Sequence, residues 1–586
     1  MDKSENFYIT TPVYYVNDKP HIGHAYTSLL CDVVARFMKL ARKNVKFTTG
    51  TDEHGQKIEK AAKAKEMQPK EFTDEVSVSF KKLAKFMNFE YDDFIRTTEE
   101  RHKKAVIALW NRLKERGQLY LDSYSGWYSV RDEAFYQESE LIDGKAPTGA
   151  EVEWVKEESY FFRLSNWQDK LLELYKGQPN FIFPESRKNE VVSFVRSGLI
   201  DLSISRTSFN WGIKVPGNDK HVIYVWIDAL TNYLTSIGFP STEGEEYKKF
   251  WTNDSSSNVH VIGKDILRFH AVYWPAILLA ADLPLPKQIA VHGWWLNEGE
   301  KISKSLGNVI DPIGLAQEFG VDQLRYFLLR EASFGQDGNF SKKNMISRIN
   351  SELANNIGNL VQRTISFLHK QCSGVVPTID RDLLRGDESL PDCKAILGQV
   401  MDHLSKYEFN QIILLIINIS SEANAYIDKS APWTLSKTDR ERMNLVIYKL
   451  LEYIRIIGIL LQPIVPSSAE MILDQLQILK EQRDLKSLCN ACSISENDSK
   501  RGSRGYDAGK KIKGRKRHII VETLGLVITA EVHSASIQDR DGATNLFVQA
   551  KCKAPTLRKF FADQGYKAKS MFVGNWMFAN DYQEIG

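Results

Sequence analysis

Two histidines, His21 and His24, separated by Ile22 and Gly23, are the residues best suited to chemistry in this chain of 586 residues. Phe7 to Thr11 reads as a short β-branched and aromatic strand. Tyr26, Leu29, Leu30, Val33, Val34, Phe37 and Met38 then recur at helical spacing, so the tetrapeptide occupies a strand-to-helix turn. Two imidazoles one turn apart can donate to phosphate oxygens. Gly23 removes a side chain where a nucleotide must approach, and the helix N-terminus adds a favourable dipole. A second set, Lys301-Ile302-Ser303-Lys304-Ser305, lies between Gly299 and Gly307. Two lysines and two hydroxyls on a mobile loop suit closure over a polyphosphate and neutralise charge as pyrophosphate leaves.

These groups need a scaffold, and the first fifty residues supply one. Val45 to Thr49 reads as a second strand before Gly50, which completes a βαβ unit with parallel strands and a right-handed crossover. His21, His24 and Asp52 then face the crevice at the carboxyl ends of the strands, where doubly wound sheets bind ligands. From Gly117 to about Pro216 aromatic, glycine-punctuated segments predict an inserted α+β domain. Alternation resumes with strands at His221 to Ile227 and Val259 to Ile262, a helix from Ile266 to Ala280, and a strand at Ile289 to Leu296. From about Ser341 to Ile478 the apolar residues recur mostly at helical period, so a helical bundle is expected.

Composition excludes several classes. With 43% hydrophobic and 26% charged residues the chain has material for several cores and is neither disordered nor fibrous. Its greasiest stretch, Val446 to Pro466, is interrupted by Lys449, Glu452 and Arg455 and reads as a packed amphipathic helix, not a membrane span. The polar start, Met1 to Asn6, predicts no secretory leader, and six scattered cysteines fit reduced thiols in a cytoplasmic protein. The net charge of +3 divides unevenly. Residues 479 to 586 hold 19 Lys+Arg against 12 Asp+Glu, leaving 58 against 62 before them.

The two motifs, in this order and flanking an interrupted sheet, resemble the signature of class I aminoacyl-tRNA synthetases. Thr11 to Asn17 (TPVYYVN), Thr49 to Gly55 (TGTDEHG), Tyr224 to Tyr233 (YVWIDALTNY) and Gly263 to His270 (GKDILRFH) narrow this to the bacterial methionyl-tRNA synthetases, over about residues 8 to 478. The resemblance implies an α/β fold: a Rossmann-type doubly wound parallel sheet with an inserted connective α+β domain, then an α-helical anticodon-binding bundle and a short α+β tail. The implied boundaries are 1–116 and 217–290 for the halves of the catalytic domain, 117–216 for the insertion, 291–340 for the lysine-loop region, 341–478 for the bundle and 479–586 for the tail.

It also implies an ATP- and magnesium-dependent methionine–tRNA ligase. This enzyme forms methionyl-adenylate and pyrophosphate, then passes methionine to the terminal ribose of tRNA(Met), the initiator included. His21, His24, Lys301 and Lys304 are the implied catalytic set, with Lys304 the more important lysine; Gly23, Ser303 and Ser305 join them in binding ATP. Asp52 would accept the methionine ammonium. Val13, Tyr15, Trp226, Ala229, Leu230, Tyr233, Ile266, His270 and Trp274 would line the side-chain pocket, with Tyr15 and His270 able to hydrogen-bond the sulfur. Asn359 and Arg363, four apart on one helix face, and Trp433 match the residues that read the anticodon. Gly126 to Phe135 carries no cysteine, so the resemblance is to the zinc-free knuckle type and no metal site is expected. A monomer is expected.

The tail is different. Residues 500 to 517 hold nine Lys or Arg and one acid, and strand-like runs follow at Ile519 to Val521 and Leu526 to Val532. Residues 504 to 542, with Ala562 to Tyr566, resemble the middle of an insertion-sequence transposase of the DDE type. Asp563 matches its second acid. The first acid is missing near residue 491 and the third has no place, so an inactive fragment is expected, because such enzymes need three carboxylates to hold two metal ions. The alternative is that the fusion leaves an impaired RNA-binding relic. Deleting everything after Ile478 is expected to leave methionine-dependent exchange per folded molecule unchanged.

Overall fold

The computed structural model describes residues 5–131, 134–136, 138–253, 255–302, 307–379, 391–489, 505–507, 512–521 and 527–534. Ser303, Lys304, Ser305 and Asp563 lie outside them. The chain divides into two compact units, Met1–Ser341 with Gly398–Ile412, and Lys342–Leu397 with Ile413–Gly586.

The first unit is built on a six-stranded sheet of β1 (Asn6–Tyr15), β2 (Asn44–Asp52), β3 (Asp93–Arg96), β4 (Ile182–Phe183), β5 (Ser256–Gly263) and β6 (Gln288–His292). The order is β3-β2-β1-β5-β6-β4 and every pairing is parallel, as the doubly wound reading requires. Order reverses between β1 and β5, so the crevice for a ligand opens there. Helix α1 (Ile22–Leu40) buries Leu29, Val33 and Phe37 completely. Gly50 is required where β2 meets β3, because a Cβ there would lie 2.1 Å from the Ile95 carbonyl oxygen. Helices α2 (Glu100–Glu115) and α3 (Val225–Thr235) also belong to this unit. Strands Leu119–Ser129, Ala134–Tyr136, Glu153–Phe162 and Leu202–Ser203 form a separate antiparallel sheet.

Four expectations are corrected here. The strand at His221 to Ile227 ends at Ile223, and α3 starts at Val225; a short apolar run does not distinguish strand from helix by period. The helix from Ile266 to Ala280 is a 3₁₀ turn, a wide π turn at Phe269–Tyr273 and an α-helix at Trp274–Ala280. The strand from Ile289 to Leu296 is two strands, β6 and Trp295–Asn297, which join different sheets. Edge strand β4 comes from within 117–216, so that range is not wholly an insertion.

In the second unit α4 (Asn359–Cys372), α5 (Phe409–Ser430, from Ile413), α6 (Pro432–Thr438) and α7 (Arg440–Leu461) form the helical part. Helix α7 is not amphipathic. Lys449, Glu452 and Arg455 are buried with its apolar residues, and Arg455 donates to Glu452 Oε2 (2.9 and 3.0 Å) and to the carbonyls of Ser487 (2.9 Å) and Leu488 (3.2 Å). The boundary at 478 is therefore too early. Arg483, Leu485, Ser487 and Leu488 are all buried, so the packed segment runs on to that point. Farther along, Gly505–Asp507, Ile512–Val521 and Val527–Ser534 form an antiparallel sheet. Its middle strand starts seven residues earlier than expected and takes in the basic run, whose charges mask the period-2 signal. No described helix is long and apolar enough to cross a membrane.

Candidate active site

A cavity of about 610 Å³ opens at the carboxyl ends of the parallel strands. Val13 and Tyr15 from β1, Asp52 from β2, and Gly263 and His292 from the ends of β5 and β6 contribute to its wall. It brings His21, Gly23, His24 and Lys301 together with Trp226, Ala229, Leu230, Tyr233, Ile266 and His270. Trp274 is not in the lining. It is fully buried, with its ring centroid 6.0 Å from that of Tyr233.

On one side the two histidines shape the start of α1. The main-chain N–H of Gly23 donates to His21 Nδ1 and that of His21 to His24 Nδ1, each at 3.1 Å, which satisfies two donors left over at a helix start. With Nδ1 accepting, the neutral rings carry their protons at Nε2, as phosphate donors must. The rings sit 3.9 Å apart. Gly23 has a second reason to be glycine, since a Cβ would come within 3.0 Å of the His21 ring.

The other side is apolar. Trp226, Ala229, Leu230 and Tyr233 follow the 3, 4, 7 spacing on α3, and Trp226 stacks on Phe269 at 3.7 Å and 7°. His270, in the wide turn, faces the Ile266 carbonyl through Nδ1 at 3.0 Å. A carbonyl can only accept, so Nδ1 holds the proton and Nε2 accepts from the Tyr233 hydroxyl at 2.6 Å. Burial brings the His270 pKa down to about 4. The Tyr15 hydroxyl donates to the His54 carbonyl at 3.0 Å. Without methionine, both groups assigned to the sulfur thus have protein partners.

Sequence reasoning missed what braces the two sides. Asp228, on α3 and buried, accepts from His54 Nδ1 at 2.6 Å and His102 Nε2 at 2.7 Å, tying α3 to the end of β2 and to α2. Burial alone would raise its pKa, but the two histidines more than offset this and bring it down to about 2. Glu53, also buried, takes Arg96 through two bonds of 2.6 and 2.8 Å. The signal lay in the strings already quoted: Thr49 to Gly55 holds both Glu53 and His54 beside Asp52, and Tyr224 to Tyr233 holds Asp228. Phe269 stood in another of them, Gly263 to His270.

A pH effect follows. Burial lowers the pKa of His260 and His292 as well as that of His270. The unfolded chain therefore binds more protons than the native one below about pH 6.5, so stability is lost as pH falls toward 4. The melting temperature should be lower at pH 5 than at pH 7, and a calorimetric series across that range checks it.

In the second unit Asn359 and Arg363 are exposed on α4, and the Arg363 guanidinium reaches Asp428 at 2.6 Å. Asp428 precedes Trp433 by five residues, and Trp433 is 48% exposed on α6. Among the described residues no group of three or more His, Cys, Asp or Glu side chains could hold a metal ion.

Comparison with known proteins agrees with this geometry. Residues 7–153 and 138–365 match the family described as tRNA synthetases class I (M), and residues 385–493 match the anticodon binding domain of methionyl tRNA ligase. Residues 486–572 match a transposase DDE domain. The chain is 60% identical over 486 residues to the methionine–tRNA ligase of Rickettsia felis, covering 82% of this chain and 94% of that one. Identity to the Rhizobium meliloti methionine–tRNA ligase is 50% over 496 residues, covering 84% and 95%. The solved Mycobacterium tuberculosis methionyl-tRNA synthetase in complex with methionyl-adenylate superposes with a TM-score of 0.78 at 46% identity, over 83% of this chain and 96% of that one.

Proposed function

This chain belongs to the class I methionyl-tRNA synthetases and is a methionine–tRNA ligase, and from that premise we propose how its residues divide the work. The observation that carries the assignment is one cavity joining the His21–His24 turn, the buried Asp52 carboxylate and the aromatic face of α3. Methionine enters with its ammonium on Asp52 and its side chain against Tyr15, Trp226, Leu230, Tyr233 and Ile266. Val13, Ala229 and His270 complete the wall, and Trp274 backs Tyr233. A thioether among aromatic edges gains sulfur contacts.

ATP lies over His21, Gly23 and His24. The methionine carboxylate attacks the α-phosphate in line, the bond to the β-phosphate breaks, and pyrophosphate leaves. Positioning and charge stabilisation suffice, with no side-chain nucleophile. His21 and His24 donate from Nε2, while Lys301 and Lys304, with Ser303 and Ser305, neutralise the departing charge. Magnesium arrives as part of the MgATP substrate. The terminal ribose hydroxyl of tRNA(Met), initiator included, then takes the methionyl group. Asn359 and Arg363 read anticodon bases and Trp433 stacks on one.

The enzyme is a cytoplasmic monomer of the zinc-free knuckle type. The segment matching a transposase is an inactive passenger.

Methionine-dependent ATP–pyrophosphate exchange tests the whole reading. Wild type should exchange, and Lys304→Ala should lose about 10²-fold or more in kcat, the scale of removing one transition-state donor. Absence of exchange in folded wild type would leave only the RNA-binding relic. Trp433→Ala should leave exchange unchanged and raise the KM for tRNA at least about fivefold, since stacking a base is worth about 1–3 kcal/mol.

A further inference from the structure

Trp294 lies between β6 and the lysine motif, and two ammonium groups lean on its indole. Lys264 Nζ is 4.1 Å from the ring centroid and Lys301 Nζ is 4.4 Å from it. The ring itself is held firmly. Its main-chain N–H donates to Asp337 Oδ1 at 2.8 Å and its Nε1 to Asp265 Oδ1 at 3.1 Å. Asp337 also takes Lys264 at 2.7 and 2.8 Å, which neutralises that lysine. Gly293 permits this arrangement, because a Cβ there would lie 2.2 Å from the Gln336 carbonyl oxygen and would push the 336–337 segment away.

Lys301 is left as the charge the indole can spare. Among the described residues it has no carboxylate partner, and both it and Trp294 line the cavity. Taken with the proposed role of Lys301, we infer that Trp294 is a positioning residue: its π face holds the Lys301 ammonium at the cavity edge in the absence of nucleotide and yields it to the triphosphate. A cation–π contact at an exposed site is weak beside a charge-assisted bond to phosphate, so the ring can hold the lysine without retaining it. An acid in the same place would compete with the substrate. The indole limits the conformations Lys301 must give up when ATP binds, which is the gain expected of preorganisation.

The test measures MgATP and methionine binding by calorimetry, alongside their KM values in exchange. Trp294→Leu should weaken MgATP about fivefold, the scale of one exposed cation–π contact, and leave methionine unchanged. Trp294→Phe, which keeps a π face, should recover most of that loss. In a Lys301→Met background Trp294→Leu should have no further effect, since the ring acts through that lysine. Unchanged MgATP binding in Trp294→Leu overturns the inference. So does weakening shared equally by methionine, or loss that persists in the Lys301→Met background. If the leucine variant folds poorly, Trp294→Met, which keeps length without a π face, replaces it. Binding can be read even from a protein without exchange, so failure of the ligase reading and failure of this inference are separate results.

Discussion

Asp52→Asn should raise the KM for methionine about 10²- to 10³-fold in pyrophosphate exchange while the KM for MgATP moves less than about twofold. The carboxylate is 5% exposed at the last residue of β2, and its backbone is fixed by register with Tyr15 and by the Val16 N–H donating to the Asp52 carbonyl at 3.2 Å. This backbone anchoring and burial preorganise the carboxylate for one cation. Removing one side of a buried charge pair costs about 2–5 kcal/mol, and about 1.4 kcal/mol is a factor of ten. Asparagine keeps the volume and one acceptor, which protects the fold while deleting the charge. The His21–His24 turn is a separate part of the cavity, which is why MgATP should be spared. A methionine analogue lacking the amino group should bind the wild type and the variant about equally. Strong discrimination between the two proteins by that analogue, or an equal rise in both KM values, would remove Asp52 from the ammonium role.

The same residue shows why part of this site was legible in the sequence. Asp52, His21 and His24 stand at junctions between a strand and its successor, and strand-end position follows from the βαβ pattern alone. The parallel sheet and the helical bundle were legible for the same reason: long periodic segments declare their type. Trp226, Leu230 and Tyr233 were harder, because the run from His221 to Ile227 is apolar throughout and its change from strand to helix at Tyr224 leaves no periodic mark. Only the family strings identified them. The bracing by His54, His102 and Asp228 joins residues 174 and 126 positions apart, and no local pattern encodes that pairing. The Trp294 stack is of the same kind, since Lys264, Trp294 and Asp337 meet only after the sheet has formed.

Charge patterning misled twice, in opposite directions. In the tail, a run of basic residues concealed a strand at Ile512–Val521. In α7, Lys449, Glu452 and Arg455 looked like a solvated stripe and turned out to be interior. Spacing reports which residues share a face but not whether a later segment will cover it. Here the covering segment is Leu485–Cys489, which ends where the match to the anticodon-binding domain overlaps the match to the transposase.

That overlap sets the result expected of two truncations. Ending the chain after Cys489 should leave the bundle's melting temperature within about 2 °C of the full chain and exchange per folded molecule unchanged; ending it after Ile478 should lower the former by roughly 10 °C. Arg455 is 4% exposed and Glu452 is 5% exposed, and Glu452 alone does not satisfy the guanidinium, whose other bonds go to the carbonyls of Ser487 and Leu488. The shorter chain loses both carbonyls, the buried side chains of Leu485 and Leu488, and Arg483, which holds the Ile478 carbonyl and Asp474. Leaving a buried charge without its partners costs about 3–5 kcal/mol, a large share of the roughly 5–15 kcal/mol that holds a domain together, and each kcal/mol is worth about 2–8 °C at this size. Arg455→Met combined with Glu452→Met should recover part of that loss in the shorter chain, because removing both members of the buried pair leaves no unsatisfied charge. Equal destabilisation by the two truncations would mean that residues past 489 contribute to the fold, and the transposase-like segment would then be a working part of the enzyme instead of a passenger.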